Sequence, residues 1–388
     1  SLDSGESAFK GLGRNGGNRG FLFVLLMIIF GQVLIVTFGG EMFRTEPLSL
    51  FEWLAIIIST SLIVVIGQTW RWVRDLSKEK RLNSNKEESS ATVGFFDGVH
   101  KGHQFVLQQL ADDANEHNLK PLVVTFRQHP RQVLQKDFVP KLLTTFDEKL
   151  RLIKSFGIDN IISIDFTADF AQQTAEDFMQ MLHDGHGVRR LLIGYDNRFG
   201  RDRSQGFDDY VRIGKRIGIE VVRLKALEGD GPNASSSVVR RLLGEGDIEK
   251  ATEYLGHSYS LAGGVVRGYG EGKKLGFPTA NMRFAPELLV PKRGVYAVLV
   301  DVEGYDDKTF CGMMNIGCRP TYGNFSETVE VNIFDFDADI YDRTISVRLV
   351  ERIRDEVRFV SIDALKGQLA KDKADIRDRI SKRNIKVW

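Results

Sequence analysis

The sequence predicts an α/β doubly wound parallel sheet followed by an antiparallel β-barrel with a C-terminal helix, preceded by a two-helix transmembrane hairpin. Three observations carry this. Between residues 91 and 224 short apolar runs alternate with helix-like segments; from about residue 258 strand-like runs follow one another without long helices; and two long apolar stretches stand apart before residue 75.

Those stretches are residues 21–38, FLFVLLMIIFGQVLIVTF, and 50–70, opening LFEWLAIIISTSLIVVIG. Each approaches the length that crosses a bilayer, with Gln32 and Glu52 the strongly polar interruptions within residues 21–38 and 50–67. Lys10, Arg14 and Arg19 precede the first; Arg71, Arg74, Lys78, Lys80 and Arg81 follow the second. Positive outer flanks, with Trp53, Trp70 and Trp72 at interfacial positions, predict a hairpin over residues 1–75 whose ends are both cytoplasmic. Two successive spans with no cleavage site between them do not fit a signal peptide. The start at Ser1 rather than Met predicts a processed chain or part of a longer one. Residues 76–90 are polar and charged and read as a flexible linker.

The first catalytic-type domain is predicted over 91–250. The run from Ala91 to Phe96, then LVVTF at 122–126, IISIDF at 161–166, LLIGY at 191–195 and IEVVRL at 219–224 have the continuous apolar character of parallel strands buried on both faces. Between them FDEKLRLIKSFG and AEDFMQMLHDG carry helical periodicity. A serine of Ser235-Ser-Ser is placed to cap the helix VVRRLLGEGD. The second domain, 251–388, has strand runs SLAGGVVRGY, GVYAVLVDV, TFCGMMNIG, TVEVNIFDF and TISVRLVERI. The alternation of Val329, Val331 and Ile333, and of Tyr296, Val298 and Val300, suggests a barrel. Ile362, Leu365, Leu369, Ile376 and Ile380 mark one face of the closing helix.

The 388 residues carry a net charge of +1, which excludes a general nucleic-acid coat but leaves local phosphate sites open. Cys311 and Cys318 are the two cysteines. They fit a reducing cytosol and, with no CxxC or His-rich cluster, argue against structural zinc.

The candidate chemistry begins at Gly94–His103, GFFDGVHKGH, a strand, a glycine-rich turn and a helix start. Unpaired N–H groups and a positive dipole end meet there, and His100 and His103, flanking Gly102, add imidazole donors for phosphate. The segments TFRQHP with His129 and Pro130, GYDNRFG with Asp196, and SSSVVR with Ser236, Ser237 and Arg240 lie where strand ends of such a sheet converge. In the second domain Gly268, Gly270, Gly272 and Gly276 form a flexible loop able to approach phosphates. Thr279 and Asn281 follow it with a hydroxyl and an amide oxygen suited to Mg²⁺ on ATP. Glu330 is either a general base or the outward residue of an alternating strand.

The ordered motifs GFFDGVHKGHQ, GYDNRFG, SSSVVRRLLGEGD, GYGEGKKLGFPTAN, GVYA, NIGCRPT and EVNIFDFDADIY resemble the bifunctional bacterial riboflavin kinase and FMN adenylyltransferase (FAD synthetase) family over about residues 91–380. FGGEMFRTEPLSLFEWL resembles the C-terminal membrane hairpin of a calcium-type P-type cation ATPase over residues 9–75, without a pump's catalytic machinery. The first resemblance implies that the barrel phosphorylates riboflavin with ATP to give FMN, and that the sheet domain adenylylates FMN to FAD with release of pyrophosphate. It implies that Thr279 and Asn281 hold Mg-ATP and that Glu330 activates the riboflavin hydroxyl. In the other site His100 and His103 would stabilise the ATP phosphates, Ser236, Ser237 and Arg240 would clamp pyrophosphate, and Asp196, His129 and Pro130 would lie towards the flavin. The chain departs from the family at Phe95, usually Asn, at Asn197, often Phe, at Ser237, commonly Thr, and at Arg127-Gln128, usually Glu-Pro. Three readings stay open here: two active sites; a riboflavin kinase with an impaired sheet domain; and a membrane-anchored fusion whose hairpin, residues 21–70, is a transporter remnant.

Overall fold

The computed structural model of the chain describes residues 87–388 apart from 136, 138, 140, 195, 196, 202–204, 226–233, 269, 322, 323, 384, 386 and 388, with the backbone alone at 319–321 and 324–326, and Ser49 and Phe51 as isolated positions. The predicted hairpin and most of the linker lie outside the described residues. Among the described residues no helix is long and apolar enough to cross a membrane.

Five parallel strands build the sheet: β1 (Ser89–Val93), β2 (Lys120–Phe126), β3 (Asn160–Ile164), β4 (Val188–Ile193) and β5 (Glu220–Arg223), in the order β3-β2-β1-β4-β5. The helices between them are α1 (Lys101–Glu116), α2 (Pro130–Leu134), α3 (Phe146–Lys154), α4 (Ala175–His186) and α5 (Phe207–Ile217). Ala91, Val93, Leu122, Val124, Leu191 and Ile193 face α4 and α5. Val123 and Leu192, on the opposite face, meet Leu107 and Leu110 of α1 and Ile153 of α3. Cover on both faces is why the centres of these strands read as apolar runs. The central strand is the exception. β1 opens on Ser89 and Ser90, residues the sequence assigns to the linker, and its polar side chains are satisfied inside: Ser90 Oγ donates to Asp113 Oδ2 (2.6 Å) and Thr92 Oγ1 to Leu192 O (2.9 Å). The strand order reverses between β1 and β4, which opens a crevice at their carboxyl ends where α1 begins.

Helices α6 (Ser236–Glu245) and α7 (Ile248–Leu255) lead into the barrel, whose strands are β6 (Ser260–Val266), β7 (Ala280–Phe284), β8 (Gly294–Val302), β9 (Thr309–Thr321), β10 (Asn324–Ile333) and β11 (Thr344–Arg354). They close antiparallel in the order β10-β7-β6-β11-β8-β9. The turn helix α8 (Glu271–Lys274) separates β6 from β7, and α9 (Ile362–Lys382) ends the fold. The sequence pattern misses β7, because Ala-Asn-Met-Arg-Phe buries only Met282 and takes its place from its neighbours' ladders. Val329, Val331, Ile333, Val298 and Val300 fill the barrel. Val295, Ala297, Cys311 and Met313 point outward and are covered by Ile376 and Ile380 of α9. The helix uses its predicted face only in part, since Ile362 is 65% exposed. Val239, Leu242 and Leu243 of α6, with Ile248, Ala251 and Leu255 of α7, pack in the barrel's own core cluster.

Candidate active sites

β1 ends where Gly94 N donates to Val124 O (3.0 Å). The chain then turns through Phe96, φ 54°, and Gly98, φ 76°, into α1. A Cβ on Gly98 would lie 2.7 Å from Leu143 Cδ1, so both the backbone angle and the space require glycine. His100 caps α1, its Nδ1 accepting from His103 N (3.4 Å), which leaves the ring proton on Nε2. The His100 and His103 rings stack with centroids 3.7 Å apart, and Phe96 meets His103 edge-on. Burial, helped by the Arg240 charge, lowers His100 to about 4; burial, with His100 and Lys149 nearby, holds His103 well below the ordinary imidazole value. Both rings are therefore neutral at neutral pH, and each offers one N–H. His103 Nδ1 is buried with no hydrogen-bond partner among the described residues.

The first turn of α6 abuts the first turn of α1. A Cβ on Gly102 would lie 3.0 Å from Ala234 O, and Ser236 Oγ donates to Asp97 O (3.0 Å). Ser235 is the cap of α6, accepting from Val238 N (3.4 Å), while Ser237 is exposed. Two positive helix ends thus meet beside the stacked histidines. Arg240 is held there by Nη2 to Asp97 Oδ2 (2.5 Å) and Nε to Lys141 O (2.7 Å). Asp97 is itself buried; burial raises its pKa against the lowering pull of Arg240.

Beside this point lies a cavity of about 250 Å³ lined by Gly94, Phe95, Phe126, Pro130, Phe166 and Phe170, among others. Gly94 and Pro130 thus line the apolar cavity, not the helix ends. Phe126, Phe166, Phe170 and Phe178 meet edge to face at 5.5–6.1 Å, and Phe199 stacks on Tyr210 at 4.2 Å. His129 caps α2, its Nδ1 accepting from Arg131 N (3.1 Å), and meets the Phe95 ring edge-on at 4.8 Å. Burial, then the charges of Arg240, Arg131 and Lys149, lower it to about 4. Asp196 lies outside the described residues. Sequence reasoning missed the phenylalanines. Their signal was 26 Phe in the chain, with Phe126 and Phe166 at the ends of apolar runs.

The barrel carries one cavity on its outer face and a second where the core residues Val265, Val331 and Ile333 come to its edge. One, about 380 Å³, is lined by Glu330, Thr279, Asn315, Phe277 and, from α9, Leu365 and Leu369. A second, about 440 Å³, is lined by Lys273, Pro278, Thr279, Asp337 and Tyr341. Thr279 borders both. Glu330 does face outward, as the alternation says, and the outer face is where the cavity is. Asn281 stands directly across the ladder from Glu330, and a Cβ on Gly268 would lie 2.2 Å from Asn281 Nδ2. Gly272 touches the same turn, since its Cβ would lie 2.4 Å from Phe277 O and 3.0 Å from Thr279 Oγ1. Gly270, φ 69°, caps α8 and Gly276, φ 82°, ends the turn, with nothing within 4 Å of where their side chains would be. Asn332, missed by sequence reasoning, holds the turn by donating Nδ2 to Pro278 O (2.7 Å). Among the described residues no group of three or more His, Cys, Asp or Glu is placed to hold a metal.

The family model for FAD synthetase matches residues 82–238, that for riboflavin kinase residues 255–380, and that for the C-terminus of cation-transporting ATPases residues 1–73. The bifunctional riboflavin kinase/FMN adenylyltransferase of Escherichia coli K12 is 36% identical over 288 residues, covering 74% of this chain and 91% of that protein. The Haemophilus influenzae protein of the same description is 35% identical over 293 residues, 75% of this chain and 94% of that protein. Among solved structures, one described as a macrolide-efflux protein from Streptococcus pneumoniae superposes with a TM-score of 0.68 at 30% identity, covering 75% of this chain and 94% of the other.

Proposed function

Because the chain belongs to the bifunctional riboflavin kinase/FMN adenylyltransferase family, we propose that the barrel and sheet cavities divide its two reactions residue by residue as follows. The chain makes FAD in two steps, ATP-dependent phosphorylation of riboflavin to FMN and adenylylation of FMN with release of pyrophosphate.

In the kinase domain, 251–388, riboflavin takes the cavity under α9 and ATP the neighbouring one. Glu330 accepts the proton of the terminal ribityl hydroxyl as its oxygen attacks the γ-phosphorus, and ADP departs. Thr279, which borders both cavities, stands where the phosphoryl group crosses. The Thr279 hydroxyl and Asn281 amide oxygen are neutral hard donors that fit Mg²⁺ arriving with ATP. Its remaining ligands would be phosphate oxygens and water, and it would neutralise phosphate charge. The glycines at 268, 270, 272 and 276 keep the turn close to the phosphates.

In the adenylyltransferase domain, 91–250, the aromatic cavity takes the flavin ring of FMN, with Pro130 in its wall and His129 against Phe95; Asp196, the third residue assigned to the flavin, lies outside the described residues. The FMN phosphate, already ionised, attacks the α-phosphorus of ATP, so no strong base is required. His100 and His103 donate to the phosphates, and Gly102 leaves room for them, while Gly94 lines the flavin cavity. The helix ends at Gly102 and Ser236, with Ser237 and Arg240, stabilise the departing pyrophosphate. The meeting of two helix N-termini beside an aromatic cavity is the observation that supports this most.

A product assay on the whole chain with riboflavin and Mg-ATP tests it. His103→Ala should stop at FMN; Glu330→Ala should make no FMN yet convert supplied FMN to FAD. Loss of both activities in either variant would refute the two-site assignment. Residues 21–70 would tether the enzyme to the membrane, the catalytic domains on the cytoplasmic side. Membrane fractionation, and activity after removal of residues 1–80, check that part.

A further inference from the structure

One buried cation lies between the two halves of the sheet-domain site and has no part in the scheme above. Lys149 sits on α3 with 4% of its surface exposed. Its Nζ donates to Phe95 O (3.1 Å) and to Phe126 O (2.8 Å), and lies 4.4 Å over the Phe95 ring and 5.1 Å over the Phe146 ring. These carbonyls belong to adjacent strand ends. Beyond the ladder bond from Gly94 N to Val124 O, β1 and β2 part company, one into the phosphate turn and the other towards Pro130. Thr125 Oγ1 reaches across to Phe95 O (3.2 Å), and the ammonium closes the gap.

A buried ammonium is costly unless its donors are satisfied. Here two carbonyls, two ring faces and the charge of Asp97 offset that cost. An uncharged aliphatic side chain would fill this position more simply if packing were all it did. Both carbonyl owners, Phe95 and Phe126, line the aromatic cavity, and the charge is felt at His103 on the phosphate side.

We infer that Lys149 is a positioning residue for adenylylation, whose ammonium fastens the ends of β1 and β2 and so holds Phe95 and Phe126 in the wall of the flavin cavity. The inference rests on the aromatic cavity being the FMN site.

The charged groups facing Lys149 are Asp97 before α1, His103 on α1, His129 before α2 and Arg127 after β2, which shares the Phe146 ring with it. The imidazoles, both lowered, do not titrate between pH 7 and 9, whereas burial brings Lys149 down to about 8. The full chain is assayed with FMN and Mg-ATP from pH 6.5 to 9.5. The wild-type KM for FMN should rise above about pH 8, where the ammonium is lost. Lys149→Met should raise that KM about tenfold at pH 7, leave kcat within about twofold, abolish the alkaline rise and spare riboflavin phosphorylation. Lys149→Arg, charged throughout, should restore most of the affinity with a flat profile. A wild-type KM flat to pH 9.5, or a Met variant with the wild-type KM, overturns the inference, and the first needs no variant to fold. A wild-type chain that makes FMN but no FAD overturns the functional reading, and this inference with it.

Discussion

Replacing Gly272 by alanine should separate the two activities without unfolding the protein. The new Cβ would sit 2.4 Å from Phe277 O, and the turn must open by roughly 0.6 Å before that contact reaches 3.0 Å, the shortest that packed interiors tolerate. The opening weakens the bond from Phe277 N to Gly272 O (2.8 Å) and pushes on Thr279 Oγ1, 3.0 Å from the same Cβ. Losing one backbone hydrogen bond costs about 1 kcal/mol, and alanine in place of glycine in the short helix returns about as much, so global stability should hardly change. A shift approaching 1 Å at a phosphate-positioning residue costs about 100-fold in rate. Riboflavin phosphorylation should therefore fall about 100-fold in kcat/KM, with the melting temperature within about 2 °C of wild type and supplied FMN still converted to FAD. Kinase kinetics within about threefold of wild type would refute the placement of Thr279 at the transferred phosphoryl group. A parallel fall in both activities with the melting temperature would refute the claim that the strain stays local.

Two further substitutions probe the joint between the halves. Asp97→Asn keeps an acceptor for Leu143 N (2.9 Å) but removes the charge that anchors Arg240. It should lower FAD formation while FMN formation persists; unchanged FAD formation would free Arg240 from its assigned role. Glu148 accepts from Ser260 across the same joint, and burial raises its pKa above the ordinary carboxylate value. With the folded value above the unfolded one, the native state binds the proton more tightly, so stability falls as pH rises from the unfolded towards the folded value and the deficit persists above it. Glu148→Gln should therefore melt higher than wild type at pH 8, with the gap shrinking towards pH 4; a gap that widens on acidification would contradict the sign.

What the sequence disclosed, and what it hid, follows from where each signal resides. β2 to β5 were visible because the sheet is covered on both faces and each run is mostly apolar. β1 began two residues early because Ser89 and Ser90 are polar letters whose burial depends on partners far along the chain, such as Asp113. β7 was hidden because a strand held by two ladders needs little hydrophobicity of its own. The histidine turn, with its glycines, was legible since backbone angles leave a mark on local sequence. The aromatic cavity and the Lys149 bridge were not, as they assemble from β1, β2, α3 and α4, which no local pattern joins. Glu330 was legible as an outward-facing residue, but the cavity it faces was not, because nothing near it announces that Leu365 and Leu369 will roof the barrel's outer face.

Helix α6 belongs to both halves at once, with Ser236 of its first turn bonded to Asp97 O in the histidine turn and Val239, Leu242 and Leu243 in the barrel's core. A chain cut at residue 250 would strand that face in water, three large aliphatic side chains with nothing to cover them, and the released half should clump. Heritable loss of one activity is therefore expected to proceed by decay of side chains within an intact body. Shedding a whole module would take with it the clamp on which the survivor leans.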